Sequence, residues 1–161
     1  MFTDKQIQEI VDLLVTLDTS TKVYLGCDSK KFKKDGLWFA TYATVCIVHK
    51  NGRNGCRIFS SITTERDYDE KKNRPSNRLM TEVYKVADAY LQLIPFVNEY
   101  DVEVHLDINP DVKYGSSCVA NQAAGYLLGV TGVEPKLKPE SWASSFGADG
   151  IVNGCQLRKI A

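Results

Sequence analysis

Asp28, Glu82, Asp107 and Asp149 are the residues of this chain whose types and placement point to chemistry. Asp28 follows Val23-Tyr24-Leu25-Gly26-Cys27, a run that reads as a buried strand, so Tyr24, Gly26 and Asp28 share one strand face. Gly26 has no side chain, which leaves room beside the carboxylate for an ion or a phosphate. An Asx-turn that only caps the strand end is the competing reading. Asp107 repeats the arrangement, with Glu103 and His105 on its face, and here an edge strand competes with the floor of a site. Glu82 borders the apolar stripe of Leu79 and Val86, where an ionised carboxylate is costly unless it is paired or bound to a metal. Arg78, one helical turn earlier, offers the plainer explanation, a salt bridge. Asp149 closes a segment thinned by Ala143, Ser144, Ser145, Gly147 and Ala148. Gly147 costs a helix about 1 kcal/mol relative to alanine, so either a ligand or a sheet approaches closely there.

If the strands that end at Asp28 and Asp107 are neighbours, the four carboxylates converge. Bare, they repel one another. Divalent cations remove that repulsion, and two of them held about 4 Å apart clamp a phosphodiester for in-line displacement. One would activate water while the other stabilises the leaving oxygen.

The elements that must position these groups are legible from periodicity. Thr3 and Gln6 have the spacing of a capping box before a first helix carrying Ile7, Ile10, Val11, Leu14 and Leu17. Strands are predicted over residues 23–27, 37–49, 56–64, 102–108 and 134–138, with a lysine-rich turn at residues 30–36 and a tight Asn51-Gly52 turn. Residues 66–77 read as a polar loop, and helices are predicted over 75–97, 116–128 and 139–149. The expected fold is α/β: a mixed five-stranded sheet, an antiparallel three-strand meander followed by parallel strands, with helices on both faces. Residues 1–161 are expected to form one domain, with a helical extension over 1–20 and a core over 22–150. Ligands in such sheets bind beyond the carboxyl ends of the parallel strands.

The composition sets the outer bounds. The chain has 161 residues, 43% hydrophobic and 25% charged, with 20 Lys and Arg against 20 Asp and Glu. That suits one ordinary core and excludes collagen-like, low-complexity and disordered chains. The five cysteines, Cys27, Cys46, Cys56, Cys118 and Cys155, lack CxxC or CxxH spacing, so buried thiols are expected rather than disulfides or zinc. A soluble, intracellular protein without a membrane span is expected. With charges balanced, any polyanion must be met by a local basic patch.

Strand order and carboxylate placement resemble the ribonuclease H-like superfamily. Within it, the local words resemble the YkuK-like family of bacteria and phages. These are Val23-Tyr24-Leu25-Gly26-Cys27-Asp28-Ser29, Arg78-Leu79-Met80-Thr81-Glu82, Val104-His105-Leu106-Asp107-Ile108-Asn109, and Lys136-Leu137-Lys138-Pro139 followed by Ala143-Ser144-Ser145 and Ala148-Asp149. The similarity runs over residues 23–149. It implies a cytoplasmic nuclease in a bacterial or phage-infected cell, with Asp28, Glu82, Asp107 and Asp149 holding Mg2+ or Mn2+, as two ions, and carrying catalysis. It places Ser29, Lys138 and Ser144 against substrate, where Lys30 and Lys31 of the lysine cluster beside Asp28 are also expected, with His105 and Asn109 supporting the site from behind. Cys27 stands where the family has threonine and Lys30 where it has glutamine, and Asn109 follows the second aspartate motif.

Three functions are compatible with these residues. The first is a metal-dependent nuclease acting on RNA, an RNA/DNA hybrid or structured DNA. The second is a non-catalytic nucleic-acid-binding module of the same fold, which would gain from losing the four carboxylates. The third is a small-molecule phosphoesterase, disfavoured for NTPs because no GxxxxGK[ST] loop is present. The lysines at 30–34 are the best candidates for phosphate contacts, although a solvated tip also explains them. Arg66, Lys71, Lys72, Arg74 and Arg78 add positive charge, offset by Glu65, Asp67, Asp69 and Glu70. Trp38, Phe39 and Tyr42 can stack on bases or simply pack in the core. His105 is either a proton shuttle or a packed hydrogen-bonding residue.

Overall fold

The first strand, β1 (Lys22–Lys34), is the spine of the sheet. It pairs antiparallel with β2 (Leu37–His49), which pairs antiparallel with β3 (Cys56–Arg66), and parallel with β4 (Asp101–Leu106). The order is β3-β2-β1-β4. The structure is a computed structural model and describes residues 1–52, 54–69 and 75–153. Glu70, Lys71, Lys72, Arg74 and Cys155 lie outside the described residues.

The helices cover both faces. α1 (Asp4–Val15) starts at the expected capping box, with Thr3 and Gln6 satisfying each other's backbone. α2 (Ser76–Val97) and α3 (Ala120–Thr131) join it on the face of Val23, Leu25 and Cys27, and bury Leu79, Val83, Val86, Leu93, Ala123 and Leu127 there. The opposite face, with Tyr24, Ala43, Val45 and Ile47, is covered by a π-helical turn (Ala143–Ala148) leading into α4 (Asp149–Val152). The alternation of β1 decides which residue joins which layer.

The structure corrects three expectations. The sheet has four strands rather than five, since residues 134–138 contribute an isolated bridge between Lys136 and His105. Lys136 N–H donates to Val104 O at 2.7 Å, and Leu106 N–H donates to Lys136 O at 2.9 Å. Pro135 and Pro139 have no N–H to extend that ladder. Secondly, the lysines at 30–34 are not in a turn: β1 runs on to Lys34, and only Asp35 and Gly36, both at positive φ, make the two-residue hairpin turn. Cross-strand pairing with β2 overrides the poor strand propensity of lysine. Thirdly, the helix expected at 116–128 is a 3-10 turn (Gly115–Val119) followed by α3, which ends at the left-handed Gly132.

Candidate active site

In the parallel pairing of β1 with β4, Gly26 lies opposite His105 and Cys27 opposite Leu106. One step further along each strand come Asp28 and Asp107. By alternation both lie on the face covered by the π-helical turn, on strands about 4.8 Å apart. Asp149, at the start of α4, arrives on the same face. Glu82 comes from α2 on the other side of the sheet, behind Asp28.

Asp28 is the electrostatic centre. Its carboxyl is pushed up to about 7, first by burial and then by the charges of Asp107 and Asp149; the Ser29 N–H and Arg78 only partly offset this. No lysine or arginine among the described residues pairs with it. Glu82 is only 2% exposed, and burial followed by the charge of Asp28 raises its carboxyl well above the ordinary range. It is held by Ser29, whose Oγ donates to Glu82 Oε1 at 2.5 Å, and by Arg78 Nη1 at 3.5 Å. Arg78 also donates to Ser29 Oγ at 2.7 Å, so the three form one closed network. Asp107 Oδ1 takes the Lys138 ammonium at 2.9 Å and the Ser145 hydroxyl at 2.6 Å. Asp149 Oδ1 accepts from Asn153 at 2.6 Å.

The four acids are therefore electrically coupled, but two of them hold internal cationic partners. Among the described residues, no three His, Cys, Asp or Glu side chains stand as a ready-made metal cage. The donor chemistry nonetheless fits a hard divalent ion. Asp28, Asp107 and Asp149 offer oxygens from one face, and the charge raising Asp28 is the charge a cation would compensate.

The π-helical turn is seated by its own hydrogen bonds. Ala143 N–H donates to His105 Nδ1 at 3.1 Å, and Ser144 Oγ donates to His105 O at 2.5 Å. Because Nδ1 accepts, the ring proton is on Nε2, facing Glu103 Oε2 at 3.3 Å. Burial lowers the His105 pKa, and the ring is fully enclosed. Gly26 makes the seat possible: a Cβ there would come within 2.8 Å of Ser144 N and 3.0 Å of Ala143 C.

The remaining expected site residues scatter. Ser29 touches Glu82 rather than solvent. Lys30 shares the Asp28 face and is exposed, whereas Lys31 lies on the reverse face, paired with Asp67 at 3.0 Å and placed over the Trp38 ring. Ser144 is fully buried. Asn109 accepts from Asp111 N–H in a local turn and stays apart from the carboxylates. Tyr42 is core, and Trp38 is 45% exposed. A cleft of about 380 Å³ bounded by Ala124 and residues 134–140 adjoins Lys138, not the four acids.

Sequence reasoning missed Ser145, which holds Asp107, and Asp69. The Asp69 carboxylate accepts the N–H groups of Asn77 and Arg78 at 2.9 Å each, and so caps α2 from six residues before its N-cap, Pro75. A cap that far back leaves no local spacing signal.

No curated protein and no solved structure matches the chain. The family model described as ribonuclease H-like matches residues 5–152, a span that takes in every element carrying the four acids. A β1 strand flanked by β2 and a parallel β4, with Asp28 within β1 and Asp107 just past the end of β4, agrees with that match, and the chain belongs to the ribonuclease H-like family.

Proposed function

We propose that this protein is a divalent-metal-dependent nuclease that hydrolyses phosphodiester bonds of RNA, an RNA/DNA hybrid or structured DNA. The observation carrying the reading is the gathering of Asp107 and Asp149 on the sheet face of Asp28, whose carboxyl is raised to about 7 first by burial and then by their charges, with no basic side chain among the described residues paired to it. The words around Asp28, Glu82, Asp107 and Asp149 support placing the chain with the YkuK-like proteins.

Asp28, Asp107 and Asp149, backed by Glu82, would hold Mg2+ or Mn2+, as one ion or two. The bound metal would supply an activated water and a counter-charge for the leaving oxygen. Arg78 and Ser29 fix the Glu82 carboxylate. Ser145 orients Asp107. Lys138, ion-paired to Asp107, is placed to transfer its charge to a substrate phosphate once a metal takes over that carboxylate. Lys30 extends positive charge along the same face. His105 uses both ring nitrogens to hold the fold and is not the proton shuttle.

Cleavage of labelled RNA, hybrid and branched DNA in Mg2+ and Mn2+ tests the reading. Activity should vanish with chelator and in Asp28→Asn, with the fold retained. Unchanged metal-dependent cleavage in both Asp28→Asn and Asp107→Asn would refute the site. A second reading, a binding module without turnover, is favoured by the Lys138 and Arg78 pairings that already neutralise two acids. It requires binding that weakens steeply with salt and no cleavage in either metal.

A further inference from the structure

Beyond Asp28, β1 and β2 continue together to the Asp35-Gly36 turn. Alternation puts Lys30, Phe32 and Lys34 on the Asp28 face, opposite Thr41, Phe39 and Leu37 of β2. The Phe32 and Phe39 rings stack at 5.9 Å with 23° between their planes. With Lys34, Asp35, Leu37 and Thr64 they bound a largely apolar depression of about 330 Å³. Phe32 is 36% and Leu37 39% exposed. The π-helical turn packs on the other end of this face, around Tyr24, Val45 and Ile47.

An occupant of this shelf must offer flat apolar faces and negative charge at once. Lys30 and Lys34 flank Phe32 along the strand, Arg66 lies opposite Phe39 in the register of β3, and Asp35 is the single acid of the depression. Unpaired nucleotides meet both demands: their base faces stack on aromatic rings, and their phosphates meet the ammonium groups. A duplex meets only the second, because its base faces are already stacked. The spacing also agrees. Four strand residues from Asp28 to Phe32 span about 14 Å, a distance that a short extended run of unpaired nucleotides can bridge.

We propose that the Phe32–Phe39 shelf is a stacking platform for unpaired bases, about 14 Å from the carboxylate face. The substrate class is then a polynucleotide with a single-stranded segment beside the bond to be cut. This deepens the nucleic-acid reading above and rests on it, but it does not depend on turnover.

The test is fluorescence anisotropy of full-length Asp28→Asn protein with labelled 12-nucleotide single strands (oligo-dT and oligo-U) and a blunt duplex of equal length. Phe32→Ala and Phe39→Ala should each weaken single-strand binding by roughly 5-fold or more, with duplex binding within about twofold. Phe32→Trp, which keeps a ring, should restore single-strand binding, and matching thermal midpoints would show the fold intact. Single-strand affinity unchanged in Phe32→Ala, or an equal loss for duplex, overturns the platform. So does a change of oligomeric state on gel filtration without a change in nucleic-acid affinity, which would mark a self-association surface. Wild-type protein that cleaves in Mn2+ while Phe32→Ala binds normally sinks the platform alone. Ring-dependent binding without cleavage by wild type sinks the nuclease reading alone and supports the platform.

Discussion

Asp28→Asn should make the metal-free protein more stable while abolishing the proposed metal-dependent cleavage. In the unfolded chain the carboxyl titrates near 3.8, and in the metal-free fold it is pushed up to about 7. The native state therefore holds this proton more tightly than the unfolded state. The stability contributed by Asp28 is complete below pH 3.8, falls as pH rises, and is gone above about 7. At about 1.36 kcal/mol for each tenfold in proton affinity, the gap amounts to about 4 kcal/mol, which is an upper limit. Asparagine removes the charge but keeps the shape. Near pH 8 the variant should melt above wild type, by up to about 8–16 °C for a chain of this size, and near pH 4 the two should coincide. Divalent ions should act in the opposite sense. At a free Mn2+ concentration about 100 times its dissociation constant, wild type gains about 2.7 kcal/mol, whereas Asp28→Asn gains little. Differential scanning fluorimetry across pH 4–8, with chelator and with Mn2+, reads all four states. A variant no more stable than wild type at pH 8, or equal Mn2+ shifts in both proteins, would refute the reasoning.

Other perturbations follow from the same contacts. Gly26→Ala drives a Cβ onto the backbone of Ser144 and should cost about 1–3 kcal/mol, seen as a lower thermal midpoint with loss of cleavage; an unchanged midpoint would contradict the close seat. Lys138→Met removes the ammonium from Asp107 and should tighten Mn2+ binding by up to about 5-fold, measured by titration calorimetry, and weaker binding would argue against competition at that carboxylate. His105→Ala leaves the Ala143 N–H without its acceptor and should destabilise by about 2–4 kcal/mol near neutral pH. Burial lowers the His105 pKa below 6.5, so the native ring resists protonation and its contribution, present above 6.5, declines as pH falls. The penalty of His105→Ala in chemical denaturation should therefore shrink toward pH 5, and a constant penalty would show that the ring is not held neutral.

The parts of the fold that obey a period were readable in the sequence. Thr3 and Gln6 announced α1, the β2 run at Leu37–His49 carried its own boundaries, and alternation put Asp28 with Gly26 and Asp107 with His105, while the pairing register that unites the two on one face came from the fold. The end of β1 was hidden because lysines at 30–34 look like a solvated turn until Phe32 is set against Phe39. The fifth strand shrank to a bridge because Pro135 and Pro139 flank it, a limit on hydrogen bonding that an apolar pattern does not register. At the site, the acids were legible as types in places. The Arg78–Glu82 pair followed from its four-residue spacing, but the other pairings were not legible: Lys138 with Asp107, and Ser29 with Glu82, are contacts between distant segments that no local spacing encodes.

The seating of the π-helical turn on His105 has a consequence for synthesis. β1, β2 and β3 pair with near neighbours in sequence, so they can come together early; the union of β1 with β4 closes a far longer loop. The turn that delivers Asp149 docks on β4, so it settles only after that union. A growing polypeptide thus lacks the last acid until the segment through Asp149 has emerged from the ribosome and β4 has paired with β1, so the four carboxylates cannot gather on any shorter nascent chain.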